Sequence, residues 1–545
     1  MKTSKEKDNM NDKYWKSIDE LVEQPEFKNF VHNEFSEGTI ELPNNISRKN
    51  FLYLMGASIA MAGFSGCRKP VRKILPYISA PEEIIPGIPN YYASSFSLGL
   101  NAFGVVVETH EGRPTHIEGN EKHSSSLGAV NQYIQSSILD LYDPDRAKNI
   151  SNNNDDSDIN DFVEYCHSYN YNDGKGMYVV SKTITSPTTY RLYKEFLKKF
   201  PKAMWIAYDT VNQENLINGI RVATDRNLIP RYKFDKAKTI LSLESDFLSD
   251  HYDNINNCKT FSKSRKVGEG MNRLYVAESF VSSTGMMADH RFKIQSNDVV
   301  MLLSLLNNAL LSKGVSGLER INNNSFKVNS KLKKFVEVVS DELILNKGES
   351  IIMAGDNQPV EIHSLVYAIN HSLSNNSKTI DYYNLDDVLL SNTDDMQDLM
   401  NQINLGNVKT LINLDVDLLY HFKNQINESK YKDIPNKISC SYHSDLTSKF
   451  STWHVPLAHY MESWLDCKSI DGTLSVGQPM ISPLYKDCLG INQILSIFLG
   501  NKNINDQDLI KETWEGILGN QFSSSWNRVL HDGLLERKYN SKYGE

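Results

Sequence analysis

The chain is 545 residues long, 40% hydrophobic and 23% charged, the ordinary mixture of a globular protein and enough length for about two or three cores. Its net charge of -9 gives no electrostatic footing for nucleic acid. The six cysteines, Cys67, Cys166, Cys258, Cys440, Cys467 and Cys488, include no CxxC pair, which excludes the closely spaced motifs that hold iron-sulfur clusters and structural zinc.

Residues 1–46 are polar, and Tyr14, Trp15, Phe27, Phe30 and Phe35 suffice for a short helix or two but not for a core. Residues 47–67, SRKNFLYLMGASIAMAGFSGC, open on the basic pair Arg48 and Lys49 and then run from Phe51 to Gly66 without a charge. That run falls short of the roughly 20 apolar residues of a comfortable bilayer span, so it reads as an export signal. Arg48-Lys49 resembles a twin-arginine pair with lysine in second place, and Phe-Ser-Gly-Cys resembles a bacterial lipobox, which makes Cys67 the expected site of lipid attachment. The competing reading is a buried or membrane-spanning helix that ends at a cysteine. No later run is long and apolar enough to cross a membrane. With Cys67 lipidated, five cysteines remain, and Cys467 with Cys488 is one pairing open to them.

Residues 68–92 carry Pro70, Pro76, Pro81, Pro86 and Pro89 and read as an extended arm. Residues 93–545 read as one α/β region. Gly104 to His110 alternates as a strand, Glu111-Gly112 makes a hairpin turn, and Thr115 to Glu118 returns. Residues 120–146 end in LYDPDR, and the Asn/Asp/Ser-rich stretch from Asn149 to Asp161 reads as a surface loop or insertion. Strands are then expected at Met177–Val180, Ala203–Tyr208, Thr239–Leu243, Ser350–Ala354, Thr379–Tyr382 and Thr410–Leu414. Helices are expected at Pro187–Phe200, Asp298–Leu311 and Val360–Ser372. This alternation predicts doubly wound, mostly parallel sheets, and two such sheets in series fit the length.

In such folds ligands bind where loops leave the carboxyl ends of strands. Ser181 to Ser186 and Gly355 to Gln358 (GDNQ) occupy such positions; either could cradle a phosphate through backbone N-H groups or simply turn the chain. Ser282 to Arg291, SSTGMMADHR, follows a strand from Leu274 and is either polar site furniture or a loop tied down by its own hydrogen bonds. In Trp453 to Tyr485, His454, His459 and Glu462 invite a metal reading. The two histidines are five apart and interrupted by Pro456, so an ordinary hydrogen-bonded pair of His459 and Glu462 on one helical face is the expectation. No residue is assigned a catalytic, cofactor-binding or metal-ligating role.

GVVVETHEGRPTHIEGNEKHSSSLGA followed by LYDPDR resembles the opening region of the molybdopterin oxidoreductase superfamily, where an EGRP-type turn leads to a glycine and then a cysteine. Here Gly128 is followed by Ala129 and Val130, so the cluster normally bound at that end has no ligands. Further segments extend the likeness: KYWKSIDEL, SRKNFLYLMGAS, GCRKPVRKILPYISAPEEIIPGIPNYYAS, LYVAESFVSSTGMMADHR and WHVPLAHYMESW to DGTLSVGQPMISPLY. Together, from Lys13 to about Tyr485, they resemble the large iron-sulfur subunit of alternative complex III, the bacterial quinol:cytochrome c (or other acceptor) oxidoreductase.

The resemblance implies a fold of the formate dehydrogenase/DMSO reductase type without molybdenum in this half, and 4Fe-4S/3Fe-4S clusters in a carboxy-terminal half. It implies as partners that iron-sulfur domain or subunit, c-type heme subunits and integral membrane quinol-binding subunits, on the periplasmic side of the bacterial inner membrane. Because no CxxCxxCxxxC run precedes Glu545, the chain is expected to be the cofactor-free scaffold half, the sequence being a fragment or the relay half being encoded separately. The alternatives are a genuine molybdopterin-dependent oxidoreductase with its own active site, and a degenerate fragment.

Overall fold

The computed structural model describes residues 84–268, 270–322, 328–501, 504–535 and 543. Arg48, Lys49, Cys67 and most of the proline-rich arm lie outside the described residues. The described chain opens on a three-stranded antiparallel sheet, β1 (Asn90–Leu98), β2 (Asn101–His110) and β3 (Arg113–Gly119). The β2–β3 hairpin turns at Glu111-Gly112, both with positive φ (51° and 75°), the pairing of signs that matches the twist of a two-residue hairpin.

The largest sheet has seven strands in the order β5-β4-β16-β15-β14-β6-β7. Its parallel members are β6 (Met177–Ser181), β7 (Met204–Ala207), β14 (Thr410–Leu414), β15 (Asn436–Ser441) and β16 (Trp453–Pro456). A strand covered by helices on both faces is apolar on both sides, and β6 is so through Met177, Val179 and Val180 before it ends at Ser181. Met177 and Val179 face a core with Phe162, Phe196 and Phe498, while Val180 faces another with Met396, Leu399 and Ile403. The Asn/Asp-rich stretch expected as a loop is instead a small hairpin, β4 (Ser151–Asn152) and β5 (Asp155–Asp156). It turns at Asn153 and Asn154, both with positive φ, and β4 pairs antiparallel with β16 at the sheet's edge.

Between β7 and β14 the chain leaves to build a second parallel sheet, order β11-β10-β9-β12, from β9 (Thr239–Leu243), β10 (Arg273–Glu278), β11 (His290–Lys293) and β12 (Ser350–Ala354). Ile240, Val276 and Ile351 serve one core, and Leu241, Tyr275 and Ile352 the other, so this sheet too is wound on both faces. The run expected at Thr379–Tyr382 is β13 (Ile380–Asn384), but it stands outside the parallel sheets. It pairs antiparallel with β8 (Leu228–Tyr232). Helix Glu214–Thr224 crosses helix Val360–Ser372 closely enough that a Cβ on Gly219 would lie 2.5 Å from Cβ of His363.

A final hairpin, β17 (Leu465–Lys468) with β18 (Leu474–Gly477), is covered by helices Asp506–Leu518 and Phe522–Asp532. Their Trp514 and Trp526 join Leu474 and Val476 in a separate core. Cys166, Cys258, Cys440, Cys467 and Cys488 are all free thiols, so the Cys467–Cys488 pairing is absent.

Candidate functional site

Each parallel sheet has one point where the strand order reverses, and there a crevice opens at the carboxyl ends. In the larger sheet it lies between β6 and β14, in the smaller between β9 and β12. An acid with a left-handed backbone follows one strand at each point: Asp415 after β14 (φ 61°) and Glu244 after β9 (φ 54°). Asp209 follows β7, and Asp356 stands two residues past β12. A cavity of about 280 Å³ opens beside Asp209, lined among others by Thr183, Gln213, Glu214, Arg221 and Asn392. Burial raises the pKa of Asp209 and pushes that of Asp356 up to about 6, with Gln213 donating to Asp356 at 2.9 Å.

The two loops expected to cradle phosphate are engaged in part by the protein's own groups. In Gly355–Gln358, a Cβ on Gly355 would lie 2.1 Å from the Glu244 carbonyl, and the Gln358 side chain donates to the Glu244 carboxylate at 2.8 Å. After β6, Thr183 N-H points to Asp209 (3.3 Å) and Ile184 N-H to the Leu389 carbonyl (3.1 Å). Helix Pro187–Lys199 then begins, and its amino terminus is a natural anion site. The buried carboxylate of Asp466 fills it. Asp466 accepts from Ser186 Oγ (2.5 Å), Thr188 N (3.3 Å), Thr188 Oγ1 (2.6 Å) and Trp514 Nε1 (3.1 Å). Burial raises its pKa against the pull of these donors.

Asp466 is the middle one of three buried acids that fan out from a single segment. Glu462 meets Arg146, the arginine of LYDPDR, through two bonds of 3.1 and 2.7 Å, with both side chains at most 1% exposed. Burial opposes the Glu462 charge, but Arg146 and the N-H groups of Leu484 and His459 outweigh it and hold the pKa below the usual range. Asp471 meets Arg231 of β8 at 2.6 Å, and Arg231 also reaches Asp253 (3.1 Å) and the Ser124 carbonyl (2.6 Å). For Asp471 burial is again overcome, by Arg231 and by hydrogen bonds from Ser124 and Thr473, down to about 2.

His459 and Glu462 do touch, though not on a helix: the His459 backbone N-H donates to the Glu462 carboxylate at 2.8 Å across a turn. His454 lies apart, against Ser441 Oγ at 3.0 Å, and burial lowers both histidines to about 4. Among the described residues no group of three His, Cys, Asp or Glu is placed to hold a metal ion. The segment Ser282–Arg291 is the tied-down loop: Glu278 accepts from Ser282 Oγ and Arg291 Nε, and Asp246 from Thr284. Sequence reasoning missed Asp466, Asp471 and Arg231. Their signal was three acids at Glu462, Asp466 and Asp471 within an otherwise buried stretch.

No protein-family model matches the sequence, and no curated protein does. Among solved structures, acetylene hydratase from Pelobacter acetylenicus is similar, with a TM-score of 0.57 over 78% of this chain and 71% of that one, at 11% sequence identity. The fold is α/β and molybdopterin oxidoreductase-like, with doubly wound, mostly parallel sheets, and the likeness is one of fold.

A phosphate-bearing pterin with its metal, which that fold implies, does not fit the residues present. Asp466 occupies the helix terminus after β6, and the carboxylates of Asp209, Glu244, Asp356 and Asp415 stand at the other strand ends. Burial pushes the Cys166 and Cys467 thiols up to about 12 and Cys488 to about 11, and raises Cys258 and Cys440 as well.

Proposed function

We propose that this chain is the molybdenum-free scaffold half of a membrane-associated quinol:electron-acceptor oxidoreductase of the alternative complex III type. In this reading it is exported on the signal headed by Arg48 and Lys49 and held at the periplasmic face of the bacterial inner membrane by lipid on Cys67. There it docks an iron-sulfur domain or subunit carrying 4Fe-4S/3Fe-4S clusters, c-type heme subunits and integral membrane quinol-binding subunits. The observation that carries the reading is the Asp466 carboxylate, which uses the donors a cofactor phosphate would need. A fold of the oxidoreductase type whose anion site is filled by its own side chain is suited to hold neighbours rather than to run chemistry. The likeness to acetylene hydratase favours a second reading, an enzyme with its own molybdopterin site.

Purification from native membranes, with intact-mass and metal analysis, separates the two. A lipidated chain starting at Cys67, accompanied by c-type heme and iron-sulfur subunits and free of molybdenum and tungsten, is the expected result. Stoichiometric molybdenum or tungsten in a chain that purifies alone would overturn the scaffold reading. Cys67→Ala is expected to release the exported chain from membranes; unchanged membrane association with an intact amino terminus would sink the lipid assignment.

A further inference from the structure

The cavity beside Asp209 is lined by two kinds of chemistry. Leu100 and Ile217 are buried in one apolar core, Val388 and Leu390 pack against that same core, and all four line the cavity. Three carboxylates share the lining with them. Asp209 follows β7, Glu214 sits in the first turn of helix Glu214–Thr224, and Asp394 in the first turn of helix Thr393–Leu405.

The segments that carry the acids are tied to one another. Glu214 accepts from Thr393 N-H at 3.0 Å and from Thr393 Oγ1 at 2.6 Å, which pins one helix start to the other. Asn392 N-H donates to the Ala207 carbonyl at 3.0 Å, and Asp209 N-H to Ser391 Oγ at 3.1 Å. The lining is therefore formed before any ligand arrives, and no loop has to be ordered on binding.

Negative charge is concentrated here. From Asp386 to Asp398 the chain carries five Asp and no Lys or Arg. Asp395 stands among Asp398, Asp394 and Glu214, whose charges add to burial in raising its pKa. Asp209 accepts from Thr183 N-H at a long 3.3 Å, and Asp394 is exposed. The neighbouring bases have other partners. Lys182, which also attracts Asp209, pairs with Asp415, and Lys468 pairs with Asp387. Arg221, the base in the lining, donates to Asn218 at 2.7 Å and sits seven residues, about 10 Å, along its helix from Glu214.

The kind of cation follows from the spacing. A hard metal ion draws about six oxygen ligands to within about 2.6 Å, and among the described residues no group of three His, Cys, Asp or Glu is placed for that. Acids spread around an apolar lining suit a cation whose own charges are spread along a hydrocarbon chain. We propose that this cavity is a binding site for a small aliphatic amine, with ammonium groups at Asp209, Glu214 and Asp394 and methylenes over Leu100, Ile217, Val388 and Leu390. Each ammonium N-H that meets a carboxylate makes a charge-assisted hydrogen bond, the stronger class. The site stands apart from the scaffold reading, since binding there involves neither lipid nor a cluster-bearing partner.

The test is calorimetric titration of the full chain at low ionic strength, with spermidine as the probe. Spermidine is expected to bind with a dissociation constant of about 1 mM or tighter. Pentanediol, a hydrocarbon chain with polar but uncharged ends, and magnesium ion are each expected to bind at least about tenfold more weakly. Asp394→Asn and, separately, Asp209→Asn are each expected to weaken spermidine about tenfold. Asp155→Asn, at the opposite edge of the seven-stranded sheet from β7, is expected to leave it unchanged. No binding of spermidine, equal binding of the diol or of magnesium, full binding by Asp394→Asn, or an equal loss in Asp155→Asn would overturn the proposal. Asp394 is exposed, so its variant decides even if Asp209→Asn misfolds.

Discussion

Arg146 and Glu462, 316 residues apart, form a two-pronged ion pair sealed from solvent. The first belongs to LYDPDR ahead of the seven-stranded sheet, the second to the segment leading into β17, and the pair fastens one to the other.

A buried pair is far costlier to break than to replace. Arg146→Met leaves an uncompensated carboxylate and is expected to destabilise the chain by about 3–5 kcal/mol. Arg146→Met combined with Glu462→Leu is expected to recover most of that. Urea melts of both variants check it: equal losses would mean that packing, not charge, dominates the site.

If Asp466 takes the place of a bound anion, removing its carboxylate should open an anion site. Asp466→Gly is expected to lose about 1–3 kcal/mol. Millimolar inorganic phosphate is expected to raise its melting temperature while leaving the parent chain unchanged. A variant indifferent to phosphate would show that the helix terminus collapses when the plug is gone.

Asp506 is buried against Gly490, its Oδ1 has no partner, and burial pushes its pKa up to about 7. A carboxyl with a raised folded pKa binds its proton more tightly in the native than in the unfolded state, so stability falls as pH rises between about 4 and 7. Asp506→Asn is expected to flatten that slope, melting above the parent at pH 8 and level with it near pH 4. Parallel curves at the two pH values would refute the assignment.

Gly219 has no room for a side chain: a Cβ would meet the Val360 carbonyl at 2.7 Å as well as His363. Gly219→Ala is expected to destabilise by about 1–3 kcal/mol despite the better helix propensity of alanine. A gain in melting temperature would show that the two helices can separate without loss.

The legible parts of the fold were those whose residues agree with their neighbours in the chain. Ser350–Ala354 and Val360–Ser372 have the ends expected of them because an unbroken apolar run and a steady helical period need no distant partner. β8 was hidden by Pro230 and Arg231, an arginine that fits a strand only where Asp253 and Asp471 meet it. β15 was hidden by buried polar residues, among them Lys437, whose ammonium group donates to the carbonyls of Lys432 and Ile434. At the candidate site, Glu462 and Asp466 looked like ordinary acids because their partners lie hundreds of positions away. The left-handed backbone at Asp415 and Glu244 has no local signature at all.

The seven-stranded sheet is built from two stretches of chain with the four-stranded sheet strung between them. On a ribosome, β6 and β7 emerge early, yet the inner neighbour of β6 is β14, which starts at Thr410. Until then β6 presents an open edge with Val179 and Val180 uncovered, a template for pairing with the wrong chain. The intervening sheet has no such wait, since β9 to β12 pair only among themselves. Synthesis therefore favours an order in which the middle of the chain sets first and the two ends close around it. Slowing between residues 207 and 410 therefore prolongs the interval in which the β6 edge stands open.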